Sequence, residues 1–571
     1  MSNKYFFLAI GIAVFLSVRA QESIVTQRGN NQRTGSYTHE MILNPANVNA
    51  VGFGKLYSYP VDGQVYAQPL YVAGVEIPGK GKRNVLFIAT EHNTVYAYDA
   101  DSLTVPVWKA SLAPSCMYPD DYFDSNGYKD IKVEIGITST PVIDTTTNTL
   151  YAVAFSRENG NYYHKLYALD ITSGNLKMDS PVTITATIAG TGDASSNGVV
   201  TFDSKKQLQR SALVLSNGVI YVAFASYGDI NPYHGWVLGY DAANLARKYV
   251  FNTTPNGAQG SIWMSGQGPS VDENGDLYFS TGNGDFNANT GGTEYGDSFI
   301  KLHPTANSLM VADYFTPYNQ DYLNTADADL GVDAPVIIPH STMIAGAGKD
   351  GVLYVVDRTN MGKYNTSSCQ CNDQILQSFN FFSGYYHCSV AYWESTTGAY
   401  LYGWSQGDYL KAFERNGNAF GTTPSSQSTF LSPGGEIPGG ALSITSNGTN
   451  AGTGIVWANI PFSKDPVSGT ITGVLRAFEA TGLSNELWNS NQNSTRDGFG
   501  EFAKFNAPII AKGKVYQPTF SGLVAVYGLL SATSVNSINR NDTGTFLNQN
   551  IPNPAMQSTK IEFGVSKPAK V

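Results

Sequence analysis

The chain has 571 residues, only 14% of them charged, and a net charge of −10. That balance excludes a nucleic-acid partner, whose phosphates require a basic face. The four cysteines include no Cys-x-x-Cys-His, which excludes an attached c-type haem, and Cys369-x-Cys371 lacks the Cys-x-x-Cys spacing of structural zinc sites.

In chain order, Lys4 precedes an apolar run at residues 5–18 that ends in Val18-Arg19-Ala20, so residues 1–20 read as a secretory signal peptide. The run is too short for a membrane span and no later stretch is long enough, so no transmembrane span is expected in the mature chain. Localisation is then secreted or at the cell surface, an oxidising setting in which Cys116, Cys369, Cys371 and Cys388 can pair. A disulfide stapling the loop between Cys369 and Cys388 is expected.

Residues 21–50 form an opening segment. From there to about residue 530 one phrase keeps returning: an apolar run, a tight turn, then a strand ending near Tyr-x-x-Asp. It stands at residues 84–102, 148–174, 218–244, 275–305 and 341–360, with weaker copies at 399–418, 454–482 and 513–528. Short strands repeating roughly every 40 residues predict an all-β fold, a β-propeller. The copies predict eight blades over residues 51–530, and the irregular last two leave seven open. The 58 Gly, 35 Tyr and 28 Phe suit tight hairpins and half-buried pleated surfaces. Asn217-Gly218, Asn274-Gly275, Asp350-Gly351 and Asn416-Gly417 favour positive φ in hairpin turns.

After residue 530 the composition turns Ser/Asn/Thr-rich, so residues 531–549 read as a linker. In residues 550–571, Pro552-Asn553-Pro554, Ser558-Thr559 and the strand at 560–565 resemble the opening of the C-terminal sorting domain of type IX secretion in Bacteroidota. That resemblance implies passage through outer-membrane secretion machinery.

Within the ring, four stretches carry a second resemblance: RTGSYTHEMILNPANV (33–48), GKLYSYPVDGQVYAQPLYV (54–72), GDLYFSTGNGDFN (275–287) and AGKDGVLYVVDRTN (347–360). They resemble the propeller of quinoproteins, which bind pyrroloquinoline quinone (PQQ) with calcium and oxidise alcohols or sugars. The resemblance implies the eight-bladed quinoprotein alcohol dehydrogenase-like fold. It puts Asn283 where the family has a calcium-ligating Asn, and Lys349 where the family sets a cation against the quinone oxygens. Other positions depart from the pattern. Asn324 falls near the place of the catalytic Asp, and an amide cannot take a proton from an alcohol, so Asp327 or Asp329 would have to substitute. Ile230 occupies the place of the carboxylate ligand, with Asp229 beside it. Gln267 occupies the place of the flat aromatic, with Trp263 offset. The adjacent Cys-Cys pair is absent.

Two further features stand outside the resemblance. Asp285, Asn287 and Asn289 space oxygen side chains like the start of a calcium loop, although Gly296 fills the closing position. Aromatics in long connections form candidate binding loops: Tyr118, Tyr122, Phe123, Tyr128, Tyr233, Trp236, Tyr385 and Tyr386. The departures at the cofactor site favour a binding or scaffold propeller at the cell surface, with no cofactor, that takes a protein or glycan partner through its loops. The alternative is a PQQ- and calcium-dependent dehydrogenase.

Overall fold

The computed structural model describes residues 23–102, 105–114, 116–117, 131–365, 369, 373–435, 438–463 and 471–530, together with two short paired strands, Phe546–Leu547 and Phe563–Gly564. Residues 1–20, read from sequence as a signal peptide, the aromatics Tyr118, Tyr122, Phe123 and Tyr128, Cys371, and the rest of residues 531–571 lie outside the described residues.

Eight antiparallel meanders of four principal strands make the ring, and three of them carry a fifth paired strand. They span residues 70–111, 142–183, 214–252, 270–315, 336–380, 391–431 and 441–489, and blade 8 combines residues 509–529 with Phe53–Pro60. The blade count is therefore eight. The ring closes by exchange of chain ends. Phe53–Pro60 is the fourth strand of blade 8, antiparallel to Leu523–Leu529, with a bulge between Lys55 and Tyr57. Closure leaves no blade to be added at either end.

The recurring phrase is the second and third strand of each blade. In blade 2 it is Thr149–Glu158 against Asn161–Asp170. The repeated Asp closes the following turn. Asp99, Asp170, Asp241 and Asp357 each accept an N–H from two residues on, at 2.7–3.0 Å. The aromatics in turn latch blade to blade. Tyr151 donates to the Ala242 carbonyl (2.7 Å), Tyr402 to Ala480 (3.0 Å), Tyr59 to Asp99 (2.6 Å) and the Trp108 indole to Ile171 (2.9 Å). Each donor binds a turn of the next blade, so a phenol buried for its area also satisfies a carbonyl.

The opening segment crosses the mouth of the channel on the face of these turns. Its backbone pairs with blade 1 (Ile24–Tyr71), blade 2 (Ile143 N–H to Val25 O), blade 4 (Val271 to Asn31), blade 5 (Ile337 to Gln32), blade 6 (Tyr392 to Thr34) and blade 7 (Ile444 to Gly35). Asn31 Nδ2 reaches blade 3 at Leu215 O (3.1 Å), and the Gly513 N–H of blade 8 donates to Glu40 (2.9 Å). One short run thus touches all eight blades and blocks one end of the channel.

Tyr233, Trp236 and Tyr386 are buried at 3%, 1% and 0% exposure, which corrects their reading as binding aromatics: they pack the core. Cys388 is a free, buried thiol, so it does not staple the loop back to Cys369, which is disulfide-bonded elsewhere. The α-helices among the described residues are Gln320–Thr325 and Ser494–Asp497.

His164 illustrates the cost of a polar group in such a core. It is 1% exposed among Phe155, Phe202 and Phe224, with centroids at 4.7, 6.0 and 5.3 Å, and neither ring nitrogen has a partner. Burial pushes its pKa down to about 3 from 6.5. Between those values the unfolded chain binds the proton and the folded chain does not. Stability is therefore full above pH 6.5 and is lost as pH falls toward 3, at about 1.4 kcal/mol per unit. In denaturant titrations at pH 7.5 and pH 4.5, His164→Phe is expected to remove about 2–3 kcal/mol of the acid-induced loss. An unchanged acid loss would place the titrating group elsewhere.

Candidate functional site

Because strands alternate in direction, loops joining second to third strands and connections joining one blade to the next all emerge on one face, opposite the opening segment. Every site candidate of the resemblance lies there. Asp229, Asn283 and Lys349 lie on the second-to-third loops of blades 3, 4 and 5. Trp263 precedes blade 4, and Asp327 and Asp329 precede blade 5.

Four of them meet. Lys349 Nζ lies 2.8 Å from Asp327 Oδ2 and 3.5 Å from Asp329 Oδ2. The Asn283 side-chain amide donates to Asp327 (3.1 Å), and its backbone N–H donates to Asp329 Oδ1 (2.8 Å). The Lys349 N–H holds the Asp329 carbonyl (2.9 Å), so blade 5 positions the connection that carries both carboxylates. Asn324 sits in the helix Gln320–Thr325 just upstream, and Asp327, at φ +52°, turns the chain back to the site.

The glycines beside Asn283 serve close approach rather than a hairpin. A Cβ on Gly282 would lie 2.4 Å from Asp329 Oδ1 and 3.1 Å from Trp263 Cδ1. Gly282 therefore lets the indole and the carboxylate come together. Trp263 is followed by Met264 and Ser265 at φ +43° and +42°, a strained pair of non-glycine residues of the kind that persists where a side chain must be aimed. The Arg210 guanidinium lies 5.1 Å from the Trp263 ring and 4.8 Å from the Phe505 ring, and Lys504 lies 5.8 Å from Phe505. Arg210 precedes blade 3 and Phe505 precedes blade 8, three places apart round the ring, so they touch only because both reach the axis.

Burial alone would lower Lys349, but Asp329, Asp327 and Asp229 hold it above its ordinary value. Burial raises Asp329 against the pull of Lys349 and of the Asn283 N–H. Beneath it, Asp297 has no exposed surface, and burial with Asp329 nearby lifts it well above the carboxylate range. His387, which precedes blade 6, is driven well below its ordinary value by burial and then by Lys349, Arg210 and Lys504. Three cations from distant parts of the chain thus converge near the axis of an acidic protein.

The remaining candidates are placed differently. Gln267 is buried and donates to Ala334 O (3.0 Å). Asp285 accepts the Ala258 N–H (3.0 Å) and Asn287 Oδ1 accepts the Glu294 N–H (3.1 Å), so both hold the loop to its neighbours. Asn289 lies in the short 3-10 turn Ala288–Thr290. Among the described residues no group of three or more His, Cys, Asp and Glu is arranged to hold a metal ion. Asn283 Oδ1 is buried without a partner, a single hard donor. These donors do not fit a calcium ion held by the protein alone.

Solved structures agree on the architecture. A quinohemoprotein alcohol dehydrogenase from Comamonas testosteroni superposes with a TM-score of 0.56 at 15% identity, over 90% of this chain and 81% of that one. A second, from Pseudomonas putida, gives 0.51 at 13% identity, over 89% and 80%. The fold is the eight-bladed quinoprotein dehydrogenase-like propeller. No family model matches the chain, and no curated protein matches it in sequence.

Sequence reasoning missed Arg210, His387 and Lys504. They share one signal. Each stands four or five residues before the first strand of a blade, at Val214–Ser216, Ala391–Ser395 and Ile509–Ala511.

Proposed function

We propose that this face binds a planar, multiply anionic cofactor of the PQQ class and uses it to oxidise an alcohol or sugar hydroxyl. The observation that carries the reading is the convergence of Lys349, Arg210 and Lys504 near the axis of a protein with net charge −10, beside the Trp263 ring and the unpaired Asn283 Oδ1. Cations at a closed-ended channel attract and hold carboxylates and quinone oxygens, and a flat indole offers a stacking surface. When bound, a quinone supplies the two-electron acceptor that such an oxidation needs. Lys349 holds the cofactor's oxygens and favours negative charge on them. Asp327 is 73% exposed, tied to Lys349 and Asn283, and open to a substrate hydroxyl from solvent. It takes the hydroxyl proton as general base. Asp329, fixed by two backbone contacts, positions Lys349.

Titration of PQQ into residues 21–530 with calcium, followed by absorbance and calorimetry, tests this. Stoichiometric binding in the micromolar range or tighter is expected; no heat and no spectral shift would contradict it.

A second reading is favoured by three exposed aromatics on the same face: Tyr322 (61%), Tyr385 (55%) and Phe462 (55%). They suit a protein or glycan partner docking over the mouth, and that partner would be the ligand if PQQ does not bind. The sequences of residues 1–20 and 550–571 support export to the cell surface through outer-membrane machinery as part of either reading.

A further inference from the structure

We infer that His387 is the hydrogen-bond donor that this site turns toward its anionic ligand, taking up one proton as the anion settles among Lys349, Arg210 and Lys504. The inference rests on the cofactor-binding reading and names how that site adjusts its charge.

Geometry places the imidazole where it can do this. His387 lies on the connection from blade 5 to blade 6, and the preceding Tyr386 N–H donates to the Lys349 carbonyl (3.3 Å). The connection is therefore fastened to the loop that carries the site lysine. Tyr386 and Cys388, the residues on either side, are buried at 0% and 2% exposure, which anchors the ring's backbone on both sides. The charged groups that act on the ring come from three other parts of the barrel: Lys349 from blade 5, Arg210 from the connection before blade 3, and Lys504 from the connection before blade 8. Those connections are spread round the ring, so the common point they reach is the axis.

The second observation is an unmet bond. His387 Nδ1 is buried and has no hydrogen-bond partner. A buried ring nitrogen without a partner carries a desolvation penalty, which His164 meets by packing among three Phe rings; His387 differs in lying on a connection fastened to the site lysine, where an anion supplies the missing bond. The carboxylates nearest the lysine, Asp327 and Asp329, are both engaged with Lys349. Burial, and then Lys349, Arg210 and Lys504, disfavour the charged ring in the free protein. An anion within about 4–6 Å reverses that balance and moves a titration by on the order of one to three units. A protonated ring can then donate to the anion, so ligand binding and proton uptake are linked.

The test uses the signal-free chain, PQQ as probe and citrate as a non-quinone tricarboxylate. Calorimetric titrations at pH 6.5 in MES and in imidazole, buffers of unlike ionisation heat, give the number of protons taken up per PQQ bound. The expected result is between about half and one proton at pH 6.5, falling toward zero by about pH 8.5. In His387→Gln the uptake is lost, and PQQ affinity falls about tenfold at pH 6.5 but converges with the parent at pH 8.5. Citrate is expected to bind more weakly with the same proton uptake, since the link is to negative charge rather than to the quinone. Uptake that persists unchanged in His387→Gln, or PQQ binding to the parent with no uptake, overturns the inference and leaves the cofactor reading standing. Failure of PQQ to bind the parent overturns both. If His387→Gln does not fold, histidine-selective ¹³C NMR of the parent decides: one ring must change from neutral to protonated on adding PQQ at pH 6.5, and no such change overturns the inference.

Discussion

Arg33→Ala is expected to be the most damaging single substitution in the ring, lowering stability by on the order of 4 kcal/mol or more and leaving little folded protein. Arg33 has no exposed surface and sits in the segment that blocks the channel. Its guanidinium donates to Thr26 Oγ1 (2.7 Å), Gln27 O (2.7 Å), Leu213 O (3.2 Å) and Pro269 O (3.1 Å), tying the segment to the approaches of blades 3 and 4. Truncation leaves these acceptors buried and unpaired, at about 1–3 kcal/mol each before relaxation. Burial and the neighbouring Arg28 pull its pKa down to about 9, still charged at neutral pH, so the four acceptors do the compensating. Arg33→Lys is expected to recover only part of the loss, because an ammonium cannot span the fork. Urea unfolding followed by tryptophan fluorescence measures this. A change below about 1 kcal/mol for Arg33→Ala would mean that the segment does not brace the ring.

Lys349→Ala is expected to have the largest effect on ligand binding, weakening PQQ by roughly 100- to 1000-fold while leaving the fold intact. One charge-assisted contact accounts for about 1.5–3 kcal/mol, or about 10- to 100-fold. The rest follows from Asp327 and Asp329, which lose their cation and then repel an anionic ligand. Asp327→Asn separates binding from chemistry. It removes a negative charge from the mouth, so PQQ is expected to bind at least as tightly, while dye-linked oxidation falls by about 10²–10⁴-fold through loss of the base. Equal losses of binding and turnover in Asp327→Asn would assign Asp327 to holding the ligand.

Much of the ring was legible because the second and third strands of each blade are long, apolar and joined by turns with recognisable chemistry. Tyr-x-x-Asp recurs since the same turn must be closed by the same side chain each time, as Asp170 and Asp357 do. First strands such as Ser270–Val271 and Val336–Ile337 are two residues long and carry no period of their own. The exchange that closes blade 8 joins strands more than 460 residues apart, and no local pattern marks it. Nor does the opening segment announce its role: its bonds are mostly backbone bonds to eight separate blades.

The site divides in the same way. Asn283 and Lys349 were named through the resemblance, and Asp327 and Asp329 as stand-ins for a missing base. All four do converge on one another. What brings them together is Lys349 bonding to Asp329 through both main chain and side chain, which the spacing of residues 283, 329 and 349 does not reveal. The axial cations were invisible because each is a single charged residue in an irregular connection. Only the ring, by placing the ends of those connections at one point, turns them into a site.

The most direct measurement is a crystal structure of the protein grown with PQQ. The account predicts the cofactor on the face opposite the opening segment, its oxygens within hydrogen-bonding distance of Lys349 Nζ and its ring system against Trp263. PQQ bound outside the channel, or a channel empty of it at saturating concentration, would contradict the account.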